Sequence, residues 1–407
     1  MIALVRRLQL RYVPGADPAR KVTWLELFFD LIFVAAVAQV GEPLRDDYTL
    51  SGLIRFSVLF VLIWWAWLGN AVFATRFDTD DVLQRALTLV QMFGVAAMAA
   101  NASEALDSRS SAGFAAAYAT LRFVLVAQYA RARQIHSARR LATRYLAGHG
   151  VAAALWLASA VVPAPERFVI WIAALAIDLG TPWLAVAHSV KVPPDASHLP
   201  ERFGLFTLIL LGESVIAVMH GMKSQENWSL VPATSAFLGM AIAFAIWWWY
   251  FDGVSAAAEQ HVRSRRDAVR FHIWSYAHLP LYLGIAISAA GIERLVHLGS
   301  GMPGHGEDAI ILAAAVATVM AALAVIGAVG PRRQSRTVVL AHLGIAGLCG
   351  VAGLSASHYA PVVLIILLAI ACVLQLCLSI PQGGRLSAGA QAGGALNLRR
   401  RGAIGSL

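Results

Sequence analysis

The chain has 407 residues, 59% of them hydrophobic and 14% charged, whereas a water-soluble domain carries about 25% charge and roughly 45–50% apolar residues. That balance excludes a soluble core. The formal charge of +9 does not point to nucleic acid, because Arg and Lys gather at the ends of long apolar stretches, where a membrane surface explains them.

In chain order, residues 1–22 come first. They hold Arg6, Arg7, Arg11, Arg20 and Lys21 and lack the apolar centre of a cleavable signal peptide, so they read as a basic cytoplasmic tail. A helix needs about 20 mostly apolar residues to cross hydrocarbon. Twelve stretches meet that test: 24–41, 52–72, 84–103, 112–130, 145–162, 167–188, 202–220, 234–251, 271–291, 308–330, 337–356 and 359–380. Barrel strands would be alternating runs of about ten residues, and these runs are long and unbroken. The expected fold is an all-α polytopic membrane protein of about twelve transmembrane helices, with a first half over 23–190 and a second over 200–381. Residues 382–407, rich in Gly, Ala and Ser and carrying Arg385, Arg399, Arg400 and Arg401, read as a disordered tail.

Charge supports the count. Arg and Lys concentrate in loops after even-numbered spans, with Arg131, Arg133, Arg139, Arg140 and Arg144 after the fourth and Arg263, Arg265, Arg266 and Arg270 after the eighth. They are sparse after odd-numbered spans. Basic loops stay on the cytoplasmic side, so both termini are expected there. Three cysteines, Cys349, Cys372 and Cys377, lie in late apolar segments and are too few for a disulfide framework or a thiolate metal site.

The halves echo each other. Glu26-Leu27-Phe28-Phe29 opens the first span and Glu201-Arg202-Phe203-Gly204 the seventh. Trp64-Trp65-Ala66-Trp67 followed by Arg76-Phe77-Asp78 parallels Trp247-Trp248-Trp249-Tyr250 followed by Phe251-Asp252. An even number of spans between echoes gives both halves the same orientation, as in transporters built from parallel repeats. Recurrent aromatic runs without duplication are the alternative.

These motifs carry a resemblance. Residues 24–34 (WLELFFDLIFV) and 201–214 (ERFGLFTLILLGES) resemble the two signatures of the bacterial low temperature requirement A family, and the Trp64–Trp67, Arg76–Asp78 and Trp247–Asp252 segments match its later patterns. The likeness covers roughly 20–380. It implies a multi-pass protein of the bacterial cytoplasmic (inner) membrane tied by name to growth in the cold, and it supplies no substrate.

Charged side chains facing lipid are costly, so those inside spans are kept for protein or water. Glu26 and Asp30 lie about 40° apart on one helix face, where two carboxylates repel unless they share a proton, a cation or an arginine. Their closeness to a helix N-terminus is the plainer explanation. Arg202, Glu213 and His220 fall on one stripe of span seven to within about 20°, an arrangement suited to protons or a cation. A glutamate held neutral in a packed helix is the alternative for Glu213, which is expected deep inside. Arg122 in span four needs a carboxylate or a wet cavity. Asp30, Glu213 and Asp178 are available, and Asp30 or Glu213 is the expected partner. Span nine offers His272, Tyr276, His278 and Pro280, a residue that kinks helices at transporter sites. Arg76, Asp78, Arg202, His220, Asp252 and Pro280 are expected in structural or gating roles.

No HExxH, Walker loop, dinucleotide fingerprint or GxSxG occurs, so no metal or cofactor is expected. The sequence therefore suggests a secondary transporter or channel-like permease for an ion or small solute, with protons as the fitting coupling ion. Competing readings are an intramembrane enzyme acting on a lipid, the weaker one, and a structural or sensory membrane protein linked to cold. The partners implied are membrane lipids and a small solute or ion, with no nucleic acid; a homo-oligomer is compatible with them.

Overall fold

A computed structural model describes residues 5–11, 22–78, 80–107, 110–223, 230–253, 261–297, 306–330, 333–358 and 362–376. The tail expected over 382–407 lies outside the described residues. Eleven helices follow one another: α1 (Trp24–Asp46), α2 (Leu50–Ala74), α3 (Val82–Ala100), α4 (Ser111–Ala132), α5 (Arg139–Ser159), α6 (Glu166–Ser189), α7 (His198–Lys223), α8 (Leu230–Trp248), α9 (Arg265–His297), α10 (Gly306–Val329) and α11 (Arg336–Leu354). A last apolar helix, α12, covers Val362–Leu376. Each of the twelve expected segments thus coincides with a helix. Among the described residues, nine helices are long and apolar enough to cross a membrane.

Local chemistry sets the starts. Thr23 and Glu26 form a reciprocal capping box at α1, Thr23 Oγ1 accepting from Glu26 N at 3.3 Å and Glu26 Oε2 accepting from Thr23 N at 2.8 Å. Asp81 caps α3 by accepting from Gln84 N at 2.7 Å, and Asp195 accepts from Ser197 N and His198 N at the start of α7. Such caps satisfy amide hydrogens that a helix's first turn leaves free.

The bundle's outer surface is apolar. Phe93, Ile172, Leu184, Phe237 and Leu354 are 71–77% exposed, a surface water would not tolerate on several helices at once and lipid does. Inside, α1 touches α2 and α3, and the path continues α3–α4, α4–α5 and α5–α6. Among the later helices α7 packs on α8 and α9, and the path continues α8–α9, α9–α10 and α10–α11. The halves meet where α1 and α2 pack on α7 and α9, and where α6 packs on α9. Glycines allow the tightest approaches. A side chain at Gly284 of α9 would meet the Ala315 carbonyl of α10 at 2.8 Å.

The N-terminal segment is more than a tail. Gln9–Leu10 (β1) pairs antiparallel with Phe77–Asp78 (β2), Gln9 opposite Asp78 and Leu10 opposite Phe77. Leu8 packs into a second apolar cluster with Phe73, Phe77, Tyr129 and Tyr145. Arg131 ties it down, donating to Asp81 at 2.7 Å and to the Arg6 carbonyl at 3.3 Å. This ribbon marks one end of the bundle and serves below to name it.

Candidate functional site

The α1–α7 seam brings together the charged residues of the first and seventh spans. The two helices run parallel, because residues near both starts pair with each other and residues near both ends do likewise. At the ribbon end, Glu26 Oε1 lies 3.2 Å from His198 Nε2 and 3.4 Å from Arg11 Nη2. One turn further in, Arg202 clasps Asp30 with both carboxylate oxygens engaged, and Trp67 Nε1 donates to Asp30 Oδ1 at 2.7 Å. Neither Asp30 nor Arg202 has any exposed surface, and Phe29, Trp67 and Phe203 close around them. Arg202 is therefore the arginine the two carboxylates share: it clasps Asp30 directly and its charge also reaches Glu26, whose own contacts are His198 and Arg11.

At the opposite end the polarity reverses. Arg45, in the last turn of α1, sits 3.9 Å from Glu213 of α7 and 3.3 Å from Glu293 of α9, with His220 Nδ1 at 3.4 Å. Arg202, Glu213 and His220 thus share one stripe, as their spacing predicts, and that stripe faces α1. Glu213 is not deep, however. Its side chain is 19% exposed and level with the end of α1, because α1 and α7 are offset so that Arg202 meets Asp30. From Glu26 to Arg45 the helix rises about 28 Å, at 1.5 Å per residue, close to a bilayer's hydrocarbon thickness of about 30 Å.

Each end opens into a recess. The ribbon end holds a cavity of about 330 Å³ lined by Arg11, Glu26, Phe29, Asn70, Asp78 and Thr88 among others. A smaller one of about 30 Å³ at the far end touches Val37, Gly41, Arg45, Leu210 and Glu213. The Asp30–Arg202 pair, with Phe33, Val34 and Leu210 buried beyond it, occupies the seam between them.

Arg122 departs from expectation. Its partner is neither Asp30 nor Glu213 but Asp178 of α6, at 2.8 Å. Asp178 also meets His149 Nδ1 of α5 at 2.6 Å, and the Tyr118 ring lies under the guanidinium at 4.8 Å. The physical reason is chain order. Helices α4, α5 and α6 are sequential neighbours packed side by side, as consecutive elements usually are, so the acid two helices away arrives first, while Asp30 is already held by Arg202. This network is buried within the first half and apart from the seam.

The remaining candidates sit as follows. His278 bonds the Trp274 carbonyl and the Tyr250 hydroxyl, at 2.8 and 3.0 Å, against Phe203 of the seam. His272 bonds the Ala268 carbonyl at 2.6 Å beside Trp183. Both are buried, His278 bonded through both ring nitrogens and His272 through Nδ1. Helix α9 runs through Pro280. Asp78 lies on the ribbon, 3.9 Å from Arg11. Asp252 is exposed at the end of a π-helical turn, Trp249–Gly253. Arg76 is buried beneath the α6–α7 connection. Sequence reasoning did not single out Arg11, Arg45, His149, His198 or Glu293. Arg45 had a signal, since it projects within about 60° of Asp30 on the same helix. No such signal marked the others. Among the described residues no group of three or more His, Cys, Asp or Glu is placed to hold a metal.

Comparison with known proteins agrees with this architecture. The family model for the bacterial low temperature requirement A protein matches residues 21–376. An uncharacterized protein, RA0937, of Rhizobium meliloti (strain 1021) is 30% identical over 283 residues, covering 67% of this chain and 68% of the relative. No solved structure matches. The signatures around Asp30 and Arg202, the matched length and the helical membrane architecture agree: the chain belongs to the bacterial low temperature requirement A family.

Proposed function

We propose that this protein is a proton-coupled secondary transporter or permease for a small solute or ion, made of two parallel six-helix halves crossing the bacterial cytoplasmic membrane twelve times with both termini inside. The observation that carries this reading is the α1–α7 seam. It has acid-lined recesses at both ends, Glu26 in one and Glu213 in the other, with a buried ion pair between them. Parallel packing of the two echoing helices, and the shared pattern of α1 on α2 and α3 and α7 on α8 and α9, support the repeat. In transporters of that design the site lies where the halves meet.

On this reading Asp30–Arg202 is the gate. A proton delivered to the Asp30 carboxylate cancels the charge that holds Arg202, and α7 is then free to shift against α1. Glu213 and Glu26 accept and release protons at the two mouths. The Arg122–Asp178–His149 network is a strut within the first half.

A scaffold or sensor of membrane order is the second reading, and one observation favours it. The Asp30–Arg202 pair is packed among aromatic rings without exposed surface, which suits a fixed structural link. Flux separates the two. Purified protein in liposomes holding a pH-sensitive dye is challenged with a panel of inorganic ions and small solutes. A carrier gives a solute-dependent pH change that Glu213→Gln (E213Q) and Asp30→Asn abolish in folded protein. Flux unchanged in both folded variants contradicts the gate assignment, and a panel that moves no protons favours the scaffold.

A further inference from the structure

The guanidinium of Arg76 lies outside the seam, and its charge has no carboxylate within 4.0 Å among the described residues. It is 1% exposed. Its contacts are neutral: Nε donates to the Val192 carbonyl at 3.3 Å, Nη2 to Ser189 Oγ at 3.4 Å, and the Tyr145 ring centre lies 5.8 Å away. The buried Tyr145 hydroxyl lies beside the guanidinium and accepts from it, and its own proton has no acceptor; Nη1 has no other acceptor. An arginine does not shed its proton, so a full positive charge is buried here beside a hydroxyl whose own proton is unspent.

A cavity of about 30 Å³ adjoins it, between α2, α5, α6 and α9, with Arg76, Tyr145, His149, His272, Ser275 and Tyr276 in its wall. A single water needs about 10–15 Å³ on this measure, so the space suits one ion of roughly chloride size. The other hydroxyls of the wall and one nitrogen of each histidine are engaged. Ser275 donates to the Phe271 carbonyl, Tyr276 to the Leu179 carbonyl, and His272 Nδ1 faces the Ala268 carbonyl. Asp178, reached through His149, is held by Arg122. No carboxylate lines the cavity to repel an anion, and the uncompensated guanidinium and the Tyr145 O–H are there to bind one.

The geometry points to a binding site for a small monovalent inorganic anion, of the chloride class, at Arg76 Nη1 and the Tyr145 hydroxyl. The anion would neutralise a buried charge at the join between α6 of the first half and α9 of the second. This site stands apart from the transport reading and survives its failure.

The test uses the full-length protein purified in sodium gluconate. Sodium chloride, bromide or nitrate replaces gluconate at constant ionic strength while thermal unfolding is followed. The expected result is a saturable rise in melting temperature with chloride and bromide, lost in Arg76→Gln and weakened in Tyr145→Phe. Equal responses to all four salts, or a saturable response retained in Arg76→Gln, overturn the site. Because Arg76→Gln can fail to fold, bromide is also located by anomalous scattering in crystals of the unaltered protein. A peak beside Arg76 Nη1 supports the proposal, and bromide bound only elsewhere overturns it.

Discussion

Replacing Asp30 with Asn changes one charge and almost no volume. Asn keeps an oxygen to accept from Trp67 Nε1, which reaches Asp30 Oδ1 at 2.7 Å, so packing and that bond survive. What is lost is the counter-charge of Arg202, which has no exposed surface and no other acid within 4.0 Å among the described residues. Removing one partner of a buried pair costs about 3–5 kcal/mol, because the survivor is stranded rather than because the pair itself was worth that much. At about 1.4 kcal/mol per decade, unfolding should become easier by roughly two to three and a half decades. Adding Arg202→Met removes the stranded charge and should recover most of the loss, since apolar replacement of a whole buried pair is often close to neutral. The assay is reversible unfolding of purified protein in mixed micelles, read by helical circular dichroism, for the single and double variants. A loss under about 0.5 kcal/mol for Asp30→Asn would mean that Asp30 carries no charge or that Arg202 is solvated, and the reasoning fails.

Further expectations follow from the same physics. Asp178→Asn strands Arg122 and should cost a comparable 3–5 kcal/mol or so, yet leave any proton-linked flux per folded molecule within twofold or so, because the network lies off the seam; abolished flux would join it to the route. Gly284→Leu forces a side chain toward the Ala315 carbonyl, which Cβ would already meet at 2.8 Å, and should lower stability by about 1–3 kcal/mol or more, measured by thermal unfolding; an unchanged midpoint would show that α9 and α10 are not so close. At Asp81, burial acts to raise the carboxyl pKa, but hydrogen bonds from Arg6 N–H, Gln84 N–H and Arg131 outweigh it and hold it below the usual value. Its contribution is therefore complete above the unfolded-state value of about 3.9 and is lost as pH falls through the lower folded value. Asp81→Ala should cost about 1 kcal/mol as a lost cap and flatten that acid limb of the stability profile; an acid limb identical to the parent's would show that Asp81 does not titrate there.

The helices were legible because hydrophobic length is a one-dimensional property, and each expected segment met a helix. The facing of Arg202, Glu213 and His220 was legible too, since helical periodicity alone puts them on one stripe. Which helix that stripe faces is a matter of packing. For Arg122 the sequence offers three acids, and the one on the helix nearest α4 in the chain, Asp178 of α6, is its partner. The depth of Glu213 was misjudged because the axial offset between α1 and α7 is set by the Asp30–Arg202 contact, which no single segment encodes. Arg11 is the extreme case. It reaches Glu26 only because a two-residue ribbon, Gln9–Leu10 on Phe77–Asp78, folds a segment that composition describes merely as basic.

If α7 shifts against α1 as proposed, the seam opens alternately to the two sides. That opening is tested most directly by chemical access. With Cys349, Cys372 and Cys377 replaced by Ala, a single cysteine is introduced as Asn70→Cys in the ribbon-end cavity or Ala38→Cys in the opposite one. Each variant is treated in oriented vesicles with a membrane-impermeant thiol reagent, with and without an imposed pH gradient. The account predicts that each position is labelled from its own side and that the gradient shifts the two labelling rates in opposite directions. Rates that stay fixed at both positions in either condition, or Asn70→Cys and Ala38→Cys labelled from the same side, would contradict it.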